Sequence, residues 1–196
     1  MSTGARNTQA IRFLGQVLQN PAQVGSVTPS SRHLARAMVA GVPVSSAGLV
    51  VEYGPGTGAL TRVLADQLPV TGRLVAMETN PAFCLFLARH FPLVRVIGDE
   101  AANAHLHLGA ELGTADAVFS GLPSSLMTPA DLAATVRATD LLLRPGGHFR
   151  AFLYHHTYWL PKMTFLRRLL QRRFRQVDVV AVWANFPPAM VLRCIK

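Results

Sequence analysis

The segment Leu49-Val50-Val51-Glu52-Tyr53-Gly54-Pro55-Gly56-Thr57-Gly58 joins a short apolar run to three alternating glycines. The apolar run reads as a strand buried on both faces. The glycines then open a helix from Gly58 to Leu68. In such a strand–loop–helix, Gly54 permits a tight turn, Gly56 lets a ligand approach the backbone, and Gly58 lets helix and strand pack closely. The helix start offers free N–H donors to a carboxylate or phosphate. The spacing alone does not choose the ligand. Gly54, Gly56 and Ala59 also satisfy the G-x-G-x-x-A dinucleotide pattern, and a tight turn without ligand has the same residues.

Outward from this loop, strands and helices alternate. Arg73 to Glu78, Val94 to Ile97, Ala117 to Phe119 and His148 to Tyr154 read as strands. Pro81 to His90 and Pro129 to Leu143 read as helices, and Arg144-Pro145-Gly146-Gly147 as a turn. This pattern predicts an α/β fold with a parallel sheet covered on both faces. The end of the chain differs. A basic helix over 162–175 precedes two strand-like runs, Val177 to Trp183 and Met190 to Ile195, which predict an antiparallel closing pair. Ahead of the sheet, residues 7–20 carry Ile11, Phe13, Leu14, Val17 and Leu18 on one helical face, and Ser30 to Val39 reads as a second helix. A single domain follows, with residues 1–44 as a helical lid or membrane segment and 45–196 as the core.

Acids at the strand ends narrow the ligand. Glu78 ends the second strand, where a carboxylate can accept both ribose hydroxyls. Asp99 ends the third, in position for an adenine amino group. Glu52 precedes the first glycine and suits an ammonium group. Three carboxylates would repel a pyrophosphate, so an adenosyl amino acid, S-adenosyl-L-methionine, is favoured over a nicotinamide. The fourth strand ends in Ser120-Gly121-Leu122-Pro123, whose backbone carbonyls can orient an acceptor amine.

The net charge of +9 and pI near 11.0 favour an acidic partner: nucleic acid, an anionic membrane or a phosphorylated substrate. Cys84 and Cys194 have no ligand or disulfide spacing, and a reducing cytoplasm fits them. Residues 1–10 hold no apolar leader core. No apolar run reaches the ~20 residues of a membrane span. His105 and His107 lack a third ligand at useful spacing, so no metal is expected. In the 162–175 helix, Phe165, Leu166, Leu169, Leu170 and Phe174 lie among Lys162, Arg167, Arg168, Arg172, Arg173 and Arg175. That reads as a membrane-surface helix, as a core helix showing its arginines to water, or as both together, with one stripe inward and the rim arginines on lipid.

Several segments together resemble the bacterial phospholipid N-methyltransferases, the small type that methylates phosphatidylethanolamine. They are Asn20-Pro21, Val24-Gly25-Ser26-Val27-x-Pro29-Ser30-Ser31, the Glu52 to Gly58 loop, Ser120-Gly121-Leu122-Pro123, and Asn185-x-Pro187-Pro188-Ala189. The resemblance implies a class I, Rossmann-like methyltransferase fold with a seven-stranded, mostly parallel sheet and an antiparallel last strand. It implies successive methylations ending in phosphatidylcholine, with S-adenosyl-L-homocysteine as product, and peripheral binding at the inner face of the cell membrane. Gly54, Gly56, Thr57 and Gly58 carry over as the cofactor loop, Glu78 as the ribose acid and Asp99 as the adenine contact. Ser26 and its neighbours carry over as a lid near the methionine end of the cofactor, and Ser120 is expected at both the cofactor and the reacting amine. One departure stands out: Tyr154 is followed by His155-His156-Thr157-Tyr158-Trp159, where the family has small residues and proline.

Methyl transfer to an amine requires a neutral, positioned nitrogen, whereas an alkylamine is mostly protonated near neutrality, as lysine's pKa of ~10.4 shows. Tyr154 is the candidate for contacting the amine or phosphate, with His155 or His156 to relay the proton. Tyr154, Tyr158 and Trp159 offer aromatic faces to a growing cation. Arg32 is the candidate for the lipid phosphate. The expected partners are a phospholipid and an anionic membrane reached through the helices over 7–20 and 162–175, with the chain a monomer and no nucleic acid bound. Two alternatives compete: an rRNA adenine N6-methyltransferase, and a non-enzymatic basic protein that binds lipid or nucleic acid. The first would carry an aromatic after Pro123 to stack on a flipped base, where this chain has Ser124-Ser125.

Overall fold

A computed structural model describes residues 29–196. The helix expected over 7–20 and the expected cofactor contact Ser26 lie outside the described residues. Helix α1 (Pro29–Val39) leads into β1 (Leu49–Tyr53), α2 (Ala59–Gln67), β2 (Arg73–Met77), α3 (Pro81–His90) and β3 (Val94–Ile97). Then come a short α4 (Ala104–His107), β4 (Ala115–Ser120), α5 (Pro129–Leu142), β5 (Leu143–Tyr154), α6 (Pro161–Arg173), β6 (Gln176–Val182) and β7 (Ala189–Ile195). The strands form one sheet in the order β3-β2-β1-β4-β5-β7-β6. Six run parallel, and β7 alone runs against its neighbours β5 and β6.

Local chemistry accounts for the elements. All five residues of β1 are buried, as a central parallel strand between two helical layers requires. Helix α5 starts on a capping box, in which the Thr128 side chain accepts from Asp131 N and Asp131 accepts from Thr128 N, with Pro129 in the first turn. Helix α3 starts on Asn80, which accepts from Ala82 N, with Pro81 next. The Arg144–Gly147 turn is a slip within β5, since Ala115 pairs with Leu143 but Ala117 pairs with His148. Asp116, expected just before the fourth strand, lies inside β4. One of its carboxylate oxygens accepts from Gly48 N and Leu49 N and the other from Arg144 Nε, which holds the start of β1 to the β5 slip.

One core lies between the sheet and helices α5 and α6, with Val51, Val118, Leu142, Leu166 and Leu170 in it. The other lies under α1, α2 and α3, with Met38, Val50, Leu64, Leu87 and Phe119. The apolar stripe of α6 is spent on the first: Met163, Leu166, Leu170 and the following Phe174 are all buried. The apolar stripe of 162–175 is thus that of a core helix, one of the readings this segment allows. The helix turns its apolar face to the sheet and exposes Arg168, Arg172 and Arg173, because α5 and the sheet would otherwise lose their cover. Among the described residues, no helix is long and apolar enough to cross a membrane.

Candidate active site

The strand order reverses direction between β1 and β4, so the connections leaving their carboxyl ends diverge and open a crevice there. The glycine loop and the Ser120–Pro123 loop meet at this point. Gly121 N donates to Tyr53 O (2.8 Å), and a Cβ on Gly54 would lie 2.9 Å from Leu122. The expected cofactor loop and the expected acceptor loop are thus packed on one another. Gly58 has φ +79°, and a Cβ there would strike the Phe91 ring at 2.5 Å, so its role is close packing of α2. Gly56 has φ +55° with nothing within 4 Å of where a Cβ would stand. Its bare backbone therefore faces open space, as a ligand cradle requires. Thr57 is half-buried in the same turn.

The carboxylates line this loop. Glu78 is buried; Oε2 accepts from Gly56 N (3.1 Å) and Oε1 from Asn80 N (2.9 Å). Each oxygen keeps a lone pair for a further donor. Glu52 is closed off beneath the loop and accepts from Thr61 Oγ1 (2.7 Å). Burial pushes its pKa up to about 7; the Thr61 bond opposes the rise and the charge of Glu78 adds to it. Two carboxylates at the ends of adjacent strands make a site for a cationic ligand and disfavour a pyrophosphate.

Asp99 is held by partners the sequence reading missed. Oδ1 accepts from Glu100 N (2.7 Å) and Asn103 Nδ2 (3.0 Å), and Oδ2 pairs with His107 Nε2 (2.7 Å). These bonds, that of His107 foremost, hold the Asp99 pKa down at about 2. One lone pair on Oδ2 stays open for an amino group. His107 therefore pairs with Asp99 and not with His105. Among the described residues, no group of three or more His, Cys, Asp or Glu could hold a metal ion. The signal was present as Asn and His four and eight residues after Asp99, but the turn over 101–103 and the short α4 had to bring them back.

The acceptor residues are less concentrated. Ser120 is buried, with Oγ accepting from Leu122 N, and lines a small apolar cavity with Met127, Val136, Phe149 and Leu166. Tyr154 ends β5 half-buried, edge-on to Phe152 and stacked on His156 at 5.9 Å. Burial raises its phenol pKa above 10.0, so the hydroxyl stays protonated near neutrality. The ring of His155, expected at the substrate, lies against Trp183 at 5.3 Å. The Arg167 guanidinium sits 4.1 Å over the Tyr158 ring. One face of Tyr158, expected at the acceptor, is thus covered by the chain's own cation. Arg32 is exposed on α1.

No family model matches the chain. The ornithine lipid N-methyltransferase of Singulisphaera acidiphila is 30% identical over 188 residues, covering 93% of each chain. The ribosomal RNA small subunit methyltransferase A of Chlorobium chlorochromatii is 30% identical over only 80 residues, 41% of this chain and 29% of that one. Among solved structures, an N-methyltransferase of Bradyrhizobium japonicum superposes with a TM-score of 0.67 at 14% identity, covering 86% of this chain and 97% of that one. Aeropyrum pernix fibrillarin with bound S-adenosyl-L-methionine gives 0.66 at 16%, covering 84% and 72%. These structures establish the class I methyltransferase fold. With a lipid N-methyltransferase matched along nearly its whole length, the chain belongs to the bacterial S-adenosylmethionine-dependent lipid N-methyltransferases.

Proposed function

We propose that the chain methylates the headgroup amine of phosphatidylethanolamine, and of its mono- and dimethyl forms, toward phosphatidylcholine at the inner face of the cell membrane. The observation that carries the transfer itself is the seating of the Ser120–Pro123 loop on the glycine loop, through Gly121 N and Tyr53 O. S-Adenosyl-L-methionine, when bound, supplies an electrophilic methyl group on a sulfonium. The bare backbone at Gly56 takes the ligand's close approach, Glu78 accepts its ribose hydroxyls and Asp99 its adenine amino group. Glu52 and Glu78 balance its positive charge.

For the acceptor, the Ser120–Pro123 carbonyls orient the amine. Tyr154 is neutral, so it offers hydrogen bonds and an aromatic face, not a basic phenolate. His156, stacked on Tyr154, takes the relay role in place of His155. Arg32 is proposed for the lipid phosphate.

A second reading is favoured by the Singulisphaera relative, whose name gives ornithine lipid as its substrate. Both lipids present a primary amine. The ribosomal RNA reading has less support: Ser124 is buried where a base-stacking aromatic would stand, and the RNA relative matches less than half the chain. Labelled S-adenosyl-L-methionine offered with phosphatidylethanolamine vesicles, ornithine lipid vesicles or ribosomal RNA separates these. Label in phosphatidylethanolamine is expected. Label in ornithine lipid alone reassigns the headgroup, and label in RNA or nowhere overturns the proposal. In the same assay Tyr154→Phe should lower kcat by about tenfold or more; unchanged turnover removes the hydroxyl from the mechanism.

A further inference from the structure

Charge is divided sharply along this chain. Residues 1–140 hold nine acids and nine Lys or Arg, whereas residues 141–196 hold ten Lys or Arg and a single acid, Asp178. The positive part builds β5, α6, β6 and β7, one end of the sheet.

The same end carries an apolar rim on the carboxyl edge. Trp159 is 72% exposed, Trp183 67% and Phe186 88%, joined by Leu160 at 44% and Leu126 at 57%. Single exposed apolar residues are ordinary, but these belong to connections tied together. Tyr154 of β5 and Val182 of β6 both pair with Ala189, so the two strands end level on either side of β7. His155 N donates to Pro188 O (2.8 Å), and the His155 ring meets Trp183. Tyr158 N donates to His155 O, and Tyr158 meets Trp159 edge-on at 4.9 Å. Both tryptophans thus stand on one turn. Asn185 is buried and donates to Pro187 O, which leaves Phe186 outside. On the other side, Lys162 Nζ donates to Ser125 O (3.1 Å), tying α6 to the loop that holds Leu126 and continues from the acceptor residues Ser120–Pro123.

We infer that this rim is the surface by which the enzyme docks on an anionic lipid bilayer. Trp159, Leu160, Trp183, Phe186 and Leu126 seat among the headgroups, with Lys162 at the start of α6 beside them. Tryptophan suits that depth, with an apolar ring and a polar N–H. A second copy of the chain is disfavoured, since two chains of net charge +9 repel one another. The apolar stripe of α6 is buried, so the rim supplies the insertion that the helix does not. The inference rests on the lipid-substrate reading, because docking here turns the acceptor loop toward the membrane.

The chain has two tryptophans, and both are in the rim. Intrinsic fluorescence therefore reports on it directly. The full chain is mixed with phosphatidylglycerol–phosphatidylcholine vesicles, which contain no amine to methylate. A blue shift on binding, and quenching by bromine-labelled acyl chains, are expected. Trp159→Ser combined with Phe186→Ser should weaken vesicle affinity about tenfold or more, with S-adenosyl-L-homocysteine binding unchanged. Co-sedimentation without change in emission, or full affinity in the double variant, overturns the inference. So does an emission shift that follows protein concentration without lipid, which marks self-association, or emission already blue in lipid-free protein, which marks cover by residues 1–28. Insertion without methyl transfer to any lipid fails the substrate reading alone. Transfer to detergent-dispersed lipid without insertion fails the docking surface alone.

Discussion

Glu52 is 1% exposed at the end of β1, and burial outweighs its bond from Thr61. Its pKa rises from 4.5 to about 7, so between those values the folded chain holds a proton that the unfolded chain has released. Stability from this group is greatest at low pH and falls as pH rises toward 7, by on the order of 3 kcal/mol in all. Thermal melts of ligand-free protein should therefore show falling stability from about pH 5 to about pH 8. Glu52→Gln should flatten that slope; an unchanged slope would place the titration on another group. A bound cation reverses the preference, because the ionised carboxylate then has a partner. Glu52, Glu78 and Asp99 were all legible as strand-end acids. Asn103 and His107, which fix Asp99, were not, because their value depends on where the chain turns after β3.

Helix α6 shows the limit of periodicity at the scale of an element. Apolar residues among arginines fit a membrane helix and a core helix equally, and only the neighbours on the inner face choose. Here α5 and the sheet claim that face, and Leu170 is fully buried. Leu170→Ala should cost about 2–5 kcal/mol in denaturant unfolding. Arg172→Gln on the exposed face should change stability by less than about 0.5 kcal/mol. Equal effects would mean the helix is not packed as described. The caps of α3 and α5, by contrast, are local: Asn80-Pro81 and Thr128-Pro129-x-Asp131 act within one turn.

For the whole molecule, cofactor binding and folding are linked, because the loop at Gly56 and the acids on β1 and β2 come together only in the folded sheet. S-Adenosyl-L-homocysteine at about 100 times its Kd should add ~2.7 kcal/mol. In a chain of this size that raises Tm by about 5–10 °C in scanning calorimetry. Glu78→Ala should remove most of the shift while leaving the ligand-free protein folded; a full shift in that variant would take Glu78 out of the cofactor site.

Strand and helix periods and the alternating glycines act over a few neighbouring residues, so the elements, the parallel core and the nucleotide-type loop could be derived from the chain itself, and the strand-end acids then pointed the loop to an adenosyl ligand. The insertion of β7 between β5 and β6 could not, nor could the pairing of His107 with Asp99 or the placing of Arg167 on Tyr158. Each joins residues whose meeting depends on how whole elements pack, and burial, not local pattern, selects that packing. The glycine loop followed from local spacing, whereas the aromatic rim exists only because β5 and β6 end level across β7.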